Sequence, residues 1–426
     1  MEKETVFSPI FKGSYERIHH DSGLTLLLCP MDGFSSAHAW MTTRYGSVDT
    51  SFRLNKEDDY LRVPEGIAHF LEHKLFEDEQ GDAFLRFSQK GGDANAFTSY
   101  NQTTYLVECT SQFRENLEIL LKMVTTPFFT EKAVQKERGI IGQEIKMYMD
   151  DPDSRLEYNL LGALYHKHPL RIDIAGTVES IEEITPQLLY DCYGTFYNLH
   201  NMVLVVAGNF QVDEVLEVCD EVLTPSPILT IDREFVEEPE DIVRPYVSEK
   251  KAVSSSLFAM GFKNKEIFPK EYARLTAGQA ILMELLVGES SPLFIQLYES
   301  GLVTNPISAY GFEERGAFPT ILSGESENPE AVVEAIQKEI RRFYEKGVDP
   351  AQVERIKRQI YGRIIMSFDS VRTVTALLTS GFLEKRSPFL LATAYQEVTA
   401  SDVEEALHRF FHFDKMAVSV IEPDGK

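Results

Sequence analysis

The segment GIAHFLEH, from Gly66 to His73, has a second and altered copy in GQAILMEL, from Gly278 to Leu285. Several of the eight positions match or nearly match, and both copies lie in stretches with helical spacing of apolar residues. One histidine-bearing segment and its histidine-free copy within a single chain are the first sign of an internal duplication.

Two further pairs of segments support the duplication and occur in the same order along the chain. FLRFSQKGG, which begins at Phe84, resembles FIQLYESGL, which begins at Phe294. AVQKERGIIGQEI (133–145) aligns with QVERIKRQIYGRI (352–364). The sequence therefore predicts two related halves.

Each half contains the same mixture of β-like and helical segments. The β-like segments are short, rich in β-forming residues and bounded by turn residues. They lie at Leu24–Cys29, Ser36–Tyr45, Thr103–Thr110 and Met202–Gly208, and then at Ser255–Phe262, Val303–Phe312, Phe318–Ser323 and Met416–Ile421. Amphipathic helices are predicted at Phe113–Val124, Glu131–Met149 and Ile181–Tyr197.

This order predicts an α+β fold of two related α/β halves, each an antiparallel-rich sheet covered by helices. The predicted domains are residues 1–223 and 248–426. Between them, residues 224–247 are rich in proline and acidic residues and mostly lack periodicity, as expected of a linker.

Composition excludes several classes of function. The 426 residues carry a formal net charge of −25, whereas nucleic-acid binding requires clustered lysine and arginine. No run of about 18 apolar residues predicts a membrane span, and the start does not resemble a signal peptide. Four widely spaced cysteines fit reduced core residues. We therefore expect a cytoplasmic protein.

The strongest chemical signal is His69-Phe70-Leu71-Glu72-His73. On a helix, His69 and His73 are one turn apart on the same face, as two ligands of one zinc ion must be. Glu72 lies beside them, where its carboxylate is placed to act as general base on a zinc-bound water. The spacing predicts one catalytic Zn²⁺ per chain.

A catalytic zinc ion needs a third protein ligand and an open position. Glu137 and Glu144 lie two helical turns apart in EKAVQKERGIIGQEIKMYMDD and project from the same face. From spacing alone, either of them could be the ligand. In the second half, Ile281, Leu285 and Arg363 fall opposite His69, His73 and Glu144, so the alignment predicts chemistry in the first half only.

With these motifs the chain resembles the pitrilysin family of inverzincins, which includes insulysin, the mitochondrial processing peptidase and many bacterial peptidases. H-x-x-E-H is the hallmark of that family. The resemblance implies that Glu144, the second member of an E-x6-E pair, completes the zinc site and that Glu137 supports the ligands without binding the metal itself. It implies a zinc metalloendopeptidase that hydrolyses peptides or unfolded segments.

The resemblance extends to two other segments. Gly91 to Thr98, with Gly92, Asn95, Ala96, Phe97 and Thr98 as candidate substrate-binding residues, is similar to the family's G-G-x-x-N-A-x-T edge strand, which pairs with the substrate backbone. Asp173 to Thr177 (DIAGT) also resembles a family signature, but its residues suggest no chemical role.

One feature of the family pattern is missing. The arginine and tyrosine that often complete the site from the second half do not occur around Phe318 to Pro329. The nearest subclass by size and layout is the bacterial processing-peptidase-like proteins, which implies a dimer with itself or with a related zinc-less homologue. The alternative function is a non-catalytic peptide-binding or assembly subunit of a peptidase-like complex.

Overall fold

A computed structural model describes residues 2–8, 13–56, 58–79 and 81–425. Short apolar runs form its strands, and the longest of them are buried. In chain order, the strands of the described residues are β1 Glu2–Phe7, β2 Ser14–His19, β3 Thr25–Pro30, β4 Ala37–Thr43, β5 Ser51–Arg53, β6 Leu61–Arg62, β7 Glu77–Asp78, β8 Gly81–Asp82, β9 Gly92–Thr98, β10 Thr103–Cys109, β11 Met202–Gly208, β12 Asp232–Arg233, β13 Tyr246–Lys251, β14 Ser256–Phe262, β15 Ser308–Gly311, β16 Thr320–Ser326 and β17 Met416–Pro423.

The helices have amphipathic sequences, and many begin at a side chain that caps their first backbone N–H groups. They are α1 Ile67–Lys74, α2 Ala83–Gln89, α3 Phe113–Thr125, α4 Glu131–Asp150, α5 Pro152–Leu164, α6 Val178–Glu182, α7 Pro186–Phe196, α8 Val212–Val222, α9 Pro269–Val287, α10 Pro292–Glu299, α11 Pro329–Lys346, α12 Pro350–Ser367, α13 Val371–Leu383, α14 Leu390–Glu397 and α15 Ala400–Phe410.

The chain divides into two compact units. Unit 1 contains Met1–Ile145, Asp173–Phe235 and Ile365–Phe389, and unit 2 contains the remaining segments, Lys146–Ile172, Val236–Ile364 and Leu390–Lys426. Each unit has its own sheet and its own apolar core. The predicted α+β fold of two related halves is therefore observed.

The two sheets share one topology. Unit 1 has the order β1-β2-β3-β11-β4-β10-β9, and unit 2 has β13-β17-β14-β16-β15. In unit 1, β3 and β11 are parallel and the steps from β11 to β9 are antiparallel. In unit 2, β13 and β17 are parallel and the remaining steps are antiparallel. The last five strands of the first sheet thus recur, in order and direction, in the second.

Each unit includes a helix from the other half of the sequence. In unit 2, α5 packs on β14 and β17, and Gly261 of β14 leaves room for it: a Cβ there would lie 2.9 Å from atoms of Leu160 and Leu164. In unit 1, α13 packs on β4 and β11. The division at residues 1–223 and 248–426 remains a prediction about the duplicated halves. The two compact units differ from it, because α5 belongs to unit 2 and α13 belongs to unit 1.

Three expectations about individual elements require correction. The single helix predicted over Ile181–Tyr197 is two helices, because Thr185 caps α7 and Pro186, which has no backbone N–H, occupies its first turn. Of the strand predicted at Val303–Phe312, only Ser308–Gly311 is extended in a sheet. The sequence interpretation also missed β1 and β2, whose residues are largely polar.

The predicted linker, 224–247, is fastened to the units rather than free along its length. In unit 1, β12 pairs with β5, and Arg233 donates from Nε to Asp49 Oδ1 over 2.7 Å. In unit 2, Glu238 accepts hydrogen bonds from the backbone N–H groups of residues 166–168 and from Lys263. Both ends of the segment are thus held by charge-assisted contacts.

Among the described residues, one segment, Pro269–Glu299, is long and apolar enough to cross a membrane by length and composition alone. It contains α9 and α10, and 56% of its apolar window is buried inside the structure. Residues of α9 belong to the apolar core of unit 2, where the helix packs against α14 and α15. Its hydropathy is that of a core helix and is weak support for a membrane span.

The Asp49–Arg233 pair gives a test of how the segment 224–247 is held. The Asp49 side chain is fully buried and that of Arg233 is 19% exposed. Arg233→Met leaves the buried carboxylate without its cation, so we expect the free energy of unfolding to fall by about 3 kcal/mol in urea titrations.

Arg62→Met is the matched control, because Arg62 pairs with Glu234 of the same segment through a side chain that is 78% exposed. Its effect should stay within about 0.5 kcal/mol. Equal losses for the two variants would contradict the assignment of Asp49–Arg233 as the attachment point.

Candidate functional site

The helix that carries the histidines begins at a glycine for steric reasons. Gly66 precedes α1 and has a φ of +85°, which disfavours other residues. A Cβ on Gly66 would lie 2.3 Å from the carbonyl oxygen of Ala175. The start of α1 is therefore pressed against the loop that contains Ala175.

That contact gives a role to the DIAGT segment, Asp173 to Thr177. Gly176 has a φ of +76°, and a Cβ there would lie 2.6 Å from the carbonyl oxygen of Glu65. Ser180, which forms a capping box with Thr177, donates its hydroxyl to the same Glu65 oxygen over 2.9 Å. The segment thus fixes the backbone from which the histidine helix starts.

Among the described residues, one group of histidine, cysteine and carboxylate side chains has the spacing of a metal site: His69, His73 and Glu144. Their ligand atoms all lie within 4.8 Å of one another. Nε2 of His69 is 3.7 Å from Oε1 of Glu144, and Nε2 of His73 is 3.5 Å from Oε2. Helices α1 and α4 bring these three side chains together.

The donor set and its spacing fit a zinc ion. Zinc accepts imidazole nitrogens and carboxylate oxygens at about 2.0–2.2 Å in tetrahedral geometry, which separates two ligand atoms by about 3.3–3.6 Å. The two distances to Glu144 are close to that range. Two neutral nitrogens and one carboxylate oxygen also leave a fourth position open.

Glu137 lies behind His73 rather than beside the open position. His73 Nδ1 is 3.2 Å from Glu137 Oε1, a hydrogen bond that would leave Nε2 free for a metal. Lys74 Nζ lies 3.6 Å from the other Glu137 oxygen and donates to Glu77 over 2.8 Å. The Lys74 side chain is fully buried, so these two carboxylates are what make its burial tolerable.

The two histidines differ in their protonation. Burial and the neighbouring His73 lower the pKa of His69 to about 3, so its imidazole is neutral at physiological pH. Burial also acts to lower the pKa of His73, but the hydrogen bond to Glu137 and the nearby carboxylates outweigh it and raise the pKa. A metal at His73 therefore competes with a proton, and the competition is stronger at lower pH.

Glu72 is held by the end of a strand. Its side chain is largely buried, and Oε2 accepts a hydrogen bond from the hydroxyl of Thr98 over 2.7 Å. Burial raises the pKa of Glu72, although the Thr98 hydrogen bond acts in the opposite direction. A carboxylate with a raised pKa and a fixed orientation is suited to accept and return a proton.

The predicted substrate-binding segment forms β9, an edge strand of the seven-stranded sheet. Its residues face in alternate directions: Ala96 packs against the helix-covered core, and the Phe97 ring lies 5.7 Å from that of Trp40. Asn95 is exposed. At Gly92 a Cβ would lie 2.2 Å from the side chain of Asn116, so packing alone explains this glycine.

In unit 2 the corresponding helix carries no ligand set. Arg363, which aligns with Glu144, donates to the Glu284 carboxylate over 2.5 Å, and Glu284 stands at the position of Glu72. Ile281 and Leu285 replace the two histidines and are buried in the core. The second copy thus neutralises its glutamate with a guanidinium group.

Sequence interpretation missed two features of this site. Lys74 directly follows the motif, and a lysine within an otherwise buried helix is a signal that could have identified it. Thr98, a predicted substrate-binding residue, also donates its hydroxyl to Glu72. Only the three-dimensional pairing of α1 with β9 reveals that contact.

Two family models match the chain. One, described as "Insulinase (Peptidase family M16)", matches residues 57–178, and the other, "Peptidase M16 inactive domain", matches residues 183–360. The first contains all the site residues, His69, Glu72, His73, Glu137 and Glu144. The second contains Ile281 and Leu285, which replace the two histidines, and ends before Arg363.

Relatives and solved structures agree with this match. The protein described as "Uncharacterized zinc protease YmfH" of Bacillus subtilis (strain 168) is 36% identical, over 96% of this chain and 97% of its own length. A mitochondrial-processing peptidase subunit beta of Arabidopsis thaliana is 24% identical, over 84% and 71%. The crystal structure of an M16-like peptidase from Alicyclobacillus acidocaldarius superposes with a TM-score of 0.92 at 33% identity, covering 100% and 99%.

Lys74 provides a test of the groups behind the ligands. Lys74→Met preserves the helix and the approximate side-chain volume but removes the cation beside Glu137. The Glu137 carboxylate is then less firmly positioned to hydrogen-bond His73. We expect Zn²⁺ affinity, measured by competition with a chelating dye, to fall about tenfold.

Two control variants give the upper and lower limits of Zn²⁺ affinity for this comparison. Lys136→Met removes a lysine that is 64% exposed and lies 3.9 Å from Glu77, and it should leave the affinity unchanged. Glu144→Ala removes a ligand atom and should abolish tight binding. If Lys74→Met binds Zn²⁺ as tightly as the Lys136 variant does, Lys74 has no role in positioning His73.

Proposed function

The chain belongs to peptidase family M16, and from that premise we propose that it is a zinc-dependent metalloendopeptidase that hydrolyses peptides or unfolded polypeptide segments. The observation that carries the proposal is the convergence of His69, His73 and Glu144 within 4.8 Å, with Glu72 beside them. The names of its relatives, which include zinc proteases, support the same conclusion.

In the proposed mechanism His69, His73 and Glu144 hold one Zn²⁺ per chain. When bound, the ion would lower the pKa of a water molecule and polarise the scissile carbonyl group. Two residues of the chain prepare the ligands. The buried, neutral His69 offers a lone pair, and Glu137 holds His73 in the tautomer that presents Nε2.

Glu72 carries the proton in this mechanism. Its carboxylate takes a proton from the attacking water and delivers it to the nitrogen of the leaving amine as the peptide bond breaks. Thr98 keeps the carboxylate oriented toward the reacting atoms through the 2.7 Å hydrogen bond. The raised pKa of Glu72 makes the return of the proton easier than it would be from an ordinary carboxylate.

We propose β9 as the platform for the substrate. One edge of β9 pairs with β10, and no strand of the described residues pairs with the other edge. An extended peptide added to that edge would be bound by its backbone, through Gly92 to Thr98, with little dependence on its sequence. Backbone that is already paired within a folded protein is not available to pair with this edge, so we expect substrates to be unfolded or short.

Glu72→Gln separates binding of the metal from catalysis. The amide keeps the shape of the side chain but cannot accept the proton, so kcat on an unstructured reporter peptide should fall by about 10² to 10⁴-fold or more. Zinc content, measured by elemental analysis, should remain at one per chain.

The same assay includes the control variant and tests the alternative function. Asp213→Asn removes an exposed acidic charge from α8, outside the proposed site, and should retain most of the activity. If the unmodified chain loaded with zinc cleaves no peptide of any length, the alternative of a non-catalytic peptide-binding or assembly subunit is favoured. Near-normal turnover by Glu72→Gln would show that Glu72 is not the general base.

We further propose that the working enzyme is a dimer, with a second copy or with a related zinc-less homologue. Only one half of the chain carries ligands, and the arginine and tyrosine expected from the second half do not occur around 318–329. The relative from Arabidopsis thaliana is named as a subunit, which supports assembly for that protein. A second chain would enclose the open edge of β9 until a peptide enters.

The dimer proposal predicts that the solution mass measured by light scattering is about twice 48.5 kDa, or that activity requires a co-expressed homologue. In a peptide series of increasing length, cleavage should stop above a size limit set by the enclosure. A monomer with full activity, or equal cleavage of folded proteins and peptides, would refute the dimer and leave the zinc site unaffected.

The cytoplasm remains our proposal for the location of the protein. All four cysteines, Cys29, Cys109, Cys192 and Cys219, are buried and unpaired, as is usual where thiols stay reduced. Fractionation of cells that express the tagged chain tests this directly.

A further inference from the structure

Unit 1 contains a second concave site, on the sheet face opposite the one that packs against α1. Its volume is about 460 Å³, which is in the range of small-molecule sites. Thr25 and Leu27 of β3 form its floor, whereas the alternate residues Leu26 and Leu28 belong to the helix-covered core. The site is therefore separate from the metal ligands and from Glu72.

Basic side chains dominate the walls of this cavity. Arg17 comes from β2, Arg44 from the end of β4, and Lys385 and Arg386 from the turn after α13. None of the described residues that line the cavity is acidic, although the whole chain has a net charge of −25. Four cations gathered from three elements on such a chain need an explanation beyond solubility.

Carboxylates do approach two of these cations, but from outside the cavity. Glu4 lies 3.2 Å from Arg17 and is 62% exposed, and Glu384 lies 3.2 Å from Arg386. The Arg17–Glu4 pair is exposed and neutralises little charge, whereas the Arg386 side chain is only 15% exposed and its pair with Glu384 is less screened by solvent. Nζ of Lys385 has no ion pair among the described residues.

Arg44 is held close to the end of α13. Its Nη2 donates to the carbonyl oxygen of Phe382 over 2.6 Å, and the guanidinium lies 4.3 Å from the centre of the Phe382 ring. Its Nε is buried and has no hydrogen-bond partner among the described residues. Burial, together with the neighbouring Arg233, lowers the pKa of Arg44, as expected for a buried cation beside a second cation.

The turn that presents Lys385 is conformationally costly. Lys385 has a φ of +55°, in the left-handed region that residues with a Cβ rarely adopt. Glycine would relieve the strain, yet a lysine stands there. The left-handed residue closes the end of α13 in a Schellman motif, and its side chain lines the cavity.

The C-terminal end of α13 opposes an anion only weakly. Its last carbonyl groups have partners: Ser380 accepts from the N–H of Glu384, Gly381 from that of Arg386, and Phe382 from that of Lys385. These bonds reduce the partial negative charge that the helix end would present to the cavity. The four cations therefore set the sign of the local potential.

We propose that this cavity binds a small molecule that carries linked phosphate groups. A single carboxylate would neutralise one cation, whereas two adjacent phosphates offer enough charge and oxygens for Arg17, Arg44, Lys385 and Arg386 together. Tyr15, whose hydroxyl accepts from Arg17, supplies an aromatic wall beside them. The inference is independent of the peptidase proposal.

The test uses pyrophosphate as the probe and isothermal titration calorimetry on the full chain, with citrate as the carboxylate comparison. We expect one pyrophosphate per chain, with an affinity that falls as ionic strength rises. Arg17→Gln and Lys385→Gly should each weaken binding about tenfold or more. Lys385→Gly also removes the strained lysine, so its melting temperature should be equal to or above that of the unmodified protein.

Two controls keep the result specific. Lys132→Gln changes the net charge equally at an exposed position of α4 and should leave binding unchanged. Pyrophosphate can also chelate zinc, but such binding would not depend on Lys385. The proposal is overturned if no saturable binding occurs, if the three variants bind equally, or if citrate binds as tightly as pyrophosphate.

Discussion

Charged side chains buried beside an apolar core must find their ion-pair and hydrogen-bond partners within the protein, and this requirement organises the site. Lys74, fully buried, is tolerated because Glu77 and Glu137 surround it. Glu137 in turn engages His73, and the remaining imidazole nitrogen faces Glu144. Each contact in this series depends on the previous one, so the positions of His73 and Glu144 depend on the groups packed behind them.

The duplicated sheet shows what that cluster adds to a common scaffold. Both sheets have the same strand order and directions, and both place a helix next to the edge strand. In the second copy the same location is filled by Ile281 and Leu285 and by the Glu284–Arg363 pair. The same scaffold accommodates either the histidine cluster or the apolar pair with its Glu–Arg contact. This is expected where a functional site is added to a fold that does not depend on it.

Several features could be predicted from the sequence because they depend on local spacing. The period of an α-helix alone places His69 next to His73, and Glu137 on the same face as Glu144. Buried strands such as β11 are continuous apolar runs whose limits are readily identified. Repetition of these patterns predicted the two halves.

The remaining features depend on contacts between distant parts of the chain. Nothing in the amphipathic pattern of α5 specifies which sheet it covers, because any apolar sheet face would accept it. The approach of Gly66 to Ala175, and of Thr98 to Glu72, joins segments that carry no mutual signal in a single sequence. The split between α6 and α7 was predictable from Thr185-Pro186 and was missed because the apolar period continues across it.

The exchange of α5 and α13 has a consequence for the order of synthesis. The sheet of unit 1 is encoded by residue 208, but the helix that covers its second face comes from residues 371–383. A nascent chain therefore exposes that apolar face on the ribosome until almost the whole polypeptide has emerged. At about 5–20 residues per second, the delay lasts roughly 10 to 30 seconds. Apolar surface that is exposed for so long during synthesis is prone to aggregation, which chaperones counter.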